Sequence, residues 1–371
     1  MQAASAVAPV PARQWRWRVA WRLFSLGTDT AGSGRIPAGF NGLVGLKPTP
    51  GRVSTAGVLP ACRTLDRVWI FAHTVDDAAH VLSVIEGPDD ADAYSSFAPG
   101  PARLPDILRV GVPQTPRFTG DIGYPEAWPA ALAGTAALGH RVLPLDFSTL
   151  DEVAALLYEG PWVAERHAVV GTLLASQPEA LDPNVRKVIS RALGMTATET
   201  FEAQYRLRSM QTLLAPLWND VDVLMVPTAP GHPTFAEVDA DPVGSNAALG
   251  VYTNFGNLLG RCALAVPAGQ ARGGLPFGAT FIARAGMDAA LAEAARRWPG
   301  AAPAASALLR TPAVEPTLPI AVVGAHLSGL PLNGATALLP DPLLRSARPW
   351  TVVTFFPPAP LRLPRWPRCR R

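Results

Sequence analysis

Cysteine is scarce and badly placed for bonding: Cys62, Cys262 and Cys369 are odd in number and far apart. That excludes a disulfide framework and a CxxC metal site, and it fits a reducing, cytoplasmic compartment. No apolar run reaches the roughly 18 residues of a membrane span. No histidine among His73, His80, His140, His167 and His232 shows metal-ligand spacing or a partner acid pattern, so no metal site is expected. Charged residues make up only 16% against 49% hydrophobic, which allows a large buried core.

The formal charge of +3 hides an asymmetry. Residues 1–23 carry four arginines and no acid, and residues 335–371 carry seven arginines against Asp341, which leaves −7 for the body, residues 24–334. The basic character belongs to the ends, so the charge gives no support for a nucleic-acid partner. The Arg/Trp alternation in residues 1–23 lacks the apolar core of a secretory signal. It reads as a non-family segment with the composition of out-of-frame translation of GC-rich DNA, the alternative being an interfacial helix.

The body alternates between strand and helix patterns. VDDAAHVLSVIEG (75–87), PEAWPAALAGTAALGH (125–140) and MDAALAEAARRW (287–298) read as helices. ILRVGVPQ (107–114), RVLPLDF (141–147), VDVLMVPTAP around Met225, CALAVPAG (262–269) and FGATFIAR (277–284) read as strands. Thr149 and Glu152 have the spacing of a capping box opening DEVAALLYEG. Such alternation predicts an α/β sheet with helices on its faces. The Ala/Pro-rich stretch 299–318 reads as a linker. After it come a strand-like piece from residue 320 and a Pro/Arg-rich tail, 335–371, in which no native fold is expected.

The stretch GTDTAGSGR (27–35) allows three readings. Gly27 and Gly32 have the spacing of a phosphate loop, but Ser33 and Gly34 stand where the phosphate-binding lysine and its hydroxyl neighbour belong. A plain glycine turn with a satisfied Ser33 is the default for an isolated AGSG. The third reading is a nucleophile loop. Small residues let the N–H groups of Thr30, Ala31, Gly32 and Ser33 converge as an oxyanion hole. On this reading Asp29 braces the loop through backbone hydrogen bonds and Arg35 is an ion-pair partner. Cys62 and Cys262 read as buried small hydrophobes.

The continuous run GTDTAGSGRIPAGFNGLVGLKPTPGRVSTAGVLPACRTLD (27–66), with PTAP (227–230) and GLPFG (274–278), closely resembles the amidase signature family. The resemblance covers most of residues 24–298. It implies an α/β fold, one large mixed β-sheet covered by helices and incomplete at its N-terminus, with Ser33 as nucleophile. YEGPWVAER and GAHLSGLPLNG are similar to the allophanate hydrolase branch, which acts in urea degradation. The resemblance implies a small carboxylated urea, allophanate, as substrate, bound by Tyr158 and Arg166. These lie about two helical turns apart, with Pro161 between them. It also implies no metal or organic cofactor, no nucleic-acid or membrane partner, a homodimer such as family members often form, and a second domain beginning at 319–334, where His326 is a candidate residue. The bland alternative places Tyr158 in the core and pairs Arg166 with a structural acid.

The family activates its serine with a lysine far upstream, through a serine on a cis peptide bond in a GGSSxGS run. This chain has only Lys47, which follows the nucleophile, and Lys187, in a surface-like helix. Upstream, only SAV (5–7) echoes the run. The expectation is a chain truncated at its N-terminus and aberrant at both ends, with little or no turnover. Rival readings are another amidase, the transamidation subunit that supplies ammonia to aminoacyl-tRNA, and a non-catalytic remnant that binds ligand or an intact subunit. The weakest rival is a membrane-surface protein.

Overall fold

The structure is a computed structural model that describes residues 24–98 and 102–298, together with the backbone of 318–322, 344–347 and 350–355. Eight strands belong to the body: β1 (Phe24–Asp29), β2 (Val44–Lys47), β3 (Arg67–Ala72), β4 (Arg109–Pro113), β5 (Arg141–Leu145), β6 (Val223–Pro227), β7 (Cys262–Gln270) and β8 (Pro276–Ala283). Three more, β9 (Leu318–Val322), β10 (Leu344–Ala347) and β11 (Trp350–Phe355), complete one sheet ordered β10-β11-β9-β1-β3-β2-β7-β8-β6-β4-β5. The sheet is mixed, with β1–β9, β4–β5 and β4–β6 parallel and the other pairs antiparallel.

Most positions of the inner strands β2, β6, β7 and β8 are apolar and buried because both faces are covered. Every residue of β6 is buried. Alternation divides them between two cores: Val223 and Met225 face one, Leu224 and Val226 the other. Helices α1 (Arg35–Asn41), α2 (Val75–Ile85), α3 (Tyr124–Ala137), α4 (Ser148–Glu159), α5 (Trp162–Ser176), α6 (Pro183–Ser190) and α7 (Ala197–Leu214) precede β6. After β6 come α8 (Pro242–Leu249), α9 (Asn254–Leu258) and α10 (Asp288–Ala295). Residues of α2, α3 and α10 pack in the first core, and residues of α4, α7 and α9 in the second. Among the described residues, no helix is long and apolar enough to cross a membrane.

Two sequence expectations are corrected. The Thr149–Glu152 capping box does not form. The helix starts two residues earlier, at Ser148, because Asp146 accepts hydrogen bonds from the Ser148 N–H (2.8 Å) and hydroxyl (2.9 Å) and turns the chain there. Glu152 instead meets Arg206 at the surface. The capping boxes that do form are Thr196–Glu199 and Thr234–Glu237. In the Pro/Arg-rich tail, β10 and β11 run where no fold was expected, since Val, Thr and Phe in residues 350–355 supply a strand that pairs with β9. His326 and the rest of residues 299–317 and 323–343 lie outside the described residues.

Candidate active site

The loop from Thr30 to Gly34 joins the end of β1 to the start of α1, and one carboxylate organises it. Asp29, fully buried, accepts hydrogen bonds from the N–H groups of Gly32 (2.8 Å), Gly34 (3.2 Å) and Arg35 (3.4 Å). It also takes Nε and Nη2 of Arg35, at 3.2 and 3.1 Å. Burial alone would raise the Asp29 pKa, but the Arg35 charge and hydrogen bonds, the Lys47 charge and the Gly32 N–H hold it below the usual carboxylate value. Both residues read from the sequence as loop supports therefore have that role.

The oxyanion-hole expectation needs one correction. The Gly32 N–H points back to Asp29, so Gly32 shapes the loop rather than donating into the site. Its φ of 116° and a would-be Cβ 2.2 Å from the Thr253 hydroxyl oxygen explain why glycine is needed there. The N–H groups of Thr30, Ala31 and Ser33 have no acceptor among the described residues. Ser33 itself is exposed, and its hydroxyl has no partner among the described residues.

Several supports of this loop were missed in the sequence. Thr253 donates to the Ala31 carbonyl at 2.6 Å. Asn257 donates to the Asp29 carbonyl at 3.0 Å and accepts from Arg35. Thr30 donates to Asp66, whose other oxygen accepts the N–H groups of Ala61 (2.7 Å) and Cys62 (3.0 Å). Burial, only partly offset by the Thr30, Cys62 and Ala61 hydrogen bonds, raises the Asp66 pKa. The signal was available as polar residues inside apolar stretches, above all the two asparagines of NFGNL. A buried amide or carboxyl in such a place needs partners.

Ser33 opens into a solvent-open cleft that Ala31, Gly32, Tyr158, Asn246 and Gly250 also line. The structure thus brings Ser33 and Tyr158 together. Arg166 lies one layer behind, its guanidinium carbon 5.2 Å from the centre of the Tyr158 ring. The two are not on one helix as the spacing suggested. Helix α4 ends at Glu159, and α5 begins at Trp162 after the Gly160–Pro161 break. Arg166 is 6% exposed, its Nε is buried without a hydrogen-bond partner, and no acid pairs with it among the described residues. The neighbouring Glu165 is taken by Thr64 and by the Cys62 thiol.

No lysine among the described residues reaches Ser33. Lys47 is fully buried and donates to the carbonyls of Arg261 (2.6 Å) and Pro48 (3.3 Å). Burial first, then the Arg35 charge, lowers its pKa to about 7. Lys187 sits in α6. Cys62 and Cys262 are fully buried. Burial pushes the Cys262 thiol up to about 12, and it raises Cys62 as well, together with Glu165.

The amidase family model matches residues 19–292. The urea amidolyases of Lachancea kluyveri and Saccharomyces cerevisiae are each 39% identical, over 83% of this chain and 18% of their own length. Solved structures give the same picture. Kluyveromyces lactis allophanate hydrolase aligns with a TM-score of 0.72 at 37% identity, covering 85% of this chain and 55% of that one. A 2-amino-5-chloromuconic acid deaminase from Comamonas testosteroni is 33% identical over 69% of this chain and 55% of its own length. This chain spans less than a fifth of the urea amidolyases it matches.

Proposed function

Because this chain belongs to the amidase signature family, we propose that its cleft is that of an allophanate-type amidase, holding a small carboxylated urea with its terminal amide at Ser33. One observation carries this reading. Arg166 is a buried guanidinium with no acid partner among the described residues, packed on the tyrosine that shares a cleft with Ser33. A buried cation without a counter-charge is costly, and a substrate carboxylate is the natural group to supply one. Tyr158 stands between the two, able to rotate its hydroxyl toward the same ligand.

The chemistry follows from the loop. The Ser33 hydroxyl attacks the terminal amide carbonyl, and the N–H groups of Thr30, Ala31 and Ser33 face the developing oxyanion. Ammonia leaves, and water releases the acyl group from Ser33. The attack needs a group to take the serine proton, and none lies beside Ser33 among the described residues. We therefore propose that the chain binds this substrate class and turns it over slowly or not at all. A binder without turnover is the second reading, favoured by the unpartnered Ser33 hydroxyl. Tyr158 and Arg166 argue against the transamidation subunit.

Malonamate tests the binding. It is a stable isostere in which a methylene replaces the bridging nitrogen of allophanate. Calorimetry is expected to show binding that weakens about 100-fold in Arg166→Met, the loss of a charge-assisted pair. Equal affinity in both proteins would remove Arg166 as the anchor.

A further inference from the structure

The ends of the cleft differ in what they offer a ligand. Ser33 and Tyr158 carry hydroxyls, which donate or accept, and Arg166 behind them only donates. The other polar side chain lining the cleft is Asn246, on α8. Its Nδ2 donates to the Pro242 carbonyl at 2.6 Å, back toward the start of its own helix. A backbone carbonyl can only accept, so this bond fixes which way the carboxamide is turned. Its Oδ1 is then directed away from the helix start and has no donor among the described residues. The helix is itself held, since Asp241 accepts the Gly244 N–H at 2.9 Å and the Ser245 hydroxyl donates to the Glu237 carbonyl at 3.2 Å.

We infer that Asn246 is a specificity-determining residue whose Oδ1 accepts an N–H from the amide end of the ligand, so that the cleft selects carboxamides and carboxylated ureas over esters of the same shape. The inference rests on the reading of the cleft given above. An amide nitrogen brings a donor to Oδ1. An ester brings an oxygen instead, and it leaves the Asn246 acceptor desolvated and unpaired. A polar group placed to bond one ligand thus rejects the analogue that lacks the donor.

The test compares malonamate with monomethyl malonate, which keeps the carboxylate and replaces the amide nitrogen by a methoxy group. Both are titrated calorimetrically into the full chain carrying Ser33→Ala, so that neither is consumed. Malonamate is expected to bind about tenfold more tightly. Adding Asn246→Ala should erase that preference by weakening malonamate and by relieving the ester of its unpaired acceptor, retained ester binding reporting an intact cleft. Equal binding of the two ligands to the Ser33→Ala parent overturns the inference, and that comparison needs no substitution at Asn246. So does a preference that survives Asn246→Ala. If neither ligand binds the parent, or if Arg166→Met leaves both affinities unchanged, the reading of the cleft fails and the inference with it.

Discussion

Asp29→Ala is expected to lower the unfolding free energy by about 3–5 kcal/mol, the range for breaking a buried ion pair from one side. The Asp29 and Arg35 side chains are both fully buried. Removing the carboxylate leaves a guanidinium in the interior with Asn257 as its remaining hydrogen-bond partner. It also strips the acceptor from the N–H groups of Gly32, Gly34 and Arg35. A second substitution separates these causes. Arg35→Met on the Asp29→Ala background removes the uncompensated charge, so the double variant should be more stable than the single one. The loop would still lack its brace, so recovery should be partial. Urea denaturation of the three proteins provides the check. A loss below about 1 kcal/mol for Asp29→Ala, a value typical of an exposed pair, would show that the carboxylate does not organise the loop.

Lys47 makes stability rise with pH above neutrality. Its pKa is about 7 in the folded chain against 10.5 for the free group. Between these values the unfolded chain binds a proton that the folded chain does not. Stability therefore climbs with pH, by about 1.4 kcal/mol per pH unit for one proton. Below pH 7 both states are protonated and the full cost of burying the charge is present, on the order of 5 kcal/mol. The two buried cysteines act in the opposite sense, because their raised pKa values reduce stability once free thiols ionise near pH 8.5. The window from pH 7 to 8.5 isolates the lysine. Lys47→Met should flatten the rise there in urea midpoints measured against pH. A slope that persists in the variant would assign it to another group.

Strands β4 to β8 were legible because they are apolar runs between turn residues, whereas β1 to β3 and the helices Trp162–Ser176 and Ala197–Leu214, which carry no clear apolar face, were not read. The loop around Ser33 was legible for a different reason. GTDTAGSGR and the residues after it form one unbroken pattern, and the geometry of Asp29, Arg35 and Ser33 follows from it. Partners distant in sequence were not legible. Nothing in residues 27–35 says that Thr253 and Asn257 close the loop from behind, because that contact is made by packing. Tyr158 and Arg166 do meet, but not along one helix as their spacing suggested, since Gly160 and Pro161 end one helix before the next begins. Propensity also misled at the tail, where proline and arginine content hid the β-branched and aromatic segment of β11, which pairs with β9 on one side and with β10 on the other.

We propose that this chain binds its ligand at Ser33 and Arg166 but turns it over slowly or not at all, because no base lies beside Ser33 among the described residues. Ammonia release from allophanate by the purified chain, with Ser33→Ala as control, tests it most directly. Losing one member of a catalytic triad typically costs several orders of magnitude in rate. No release above the control is expected from folded protein that still binds malonamate. Rapid release that disappears in Ser33→Ala would contradict the claim, and would mean that a proton acceptor reaches Ser33 from outside the described residues.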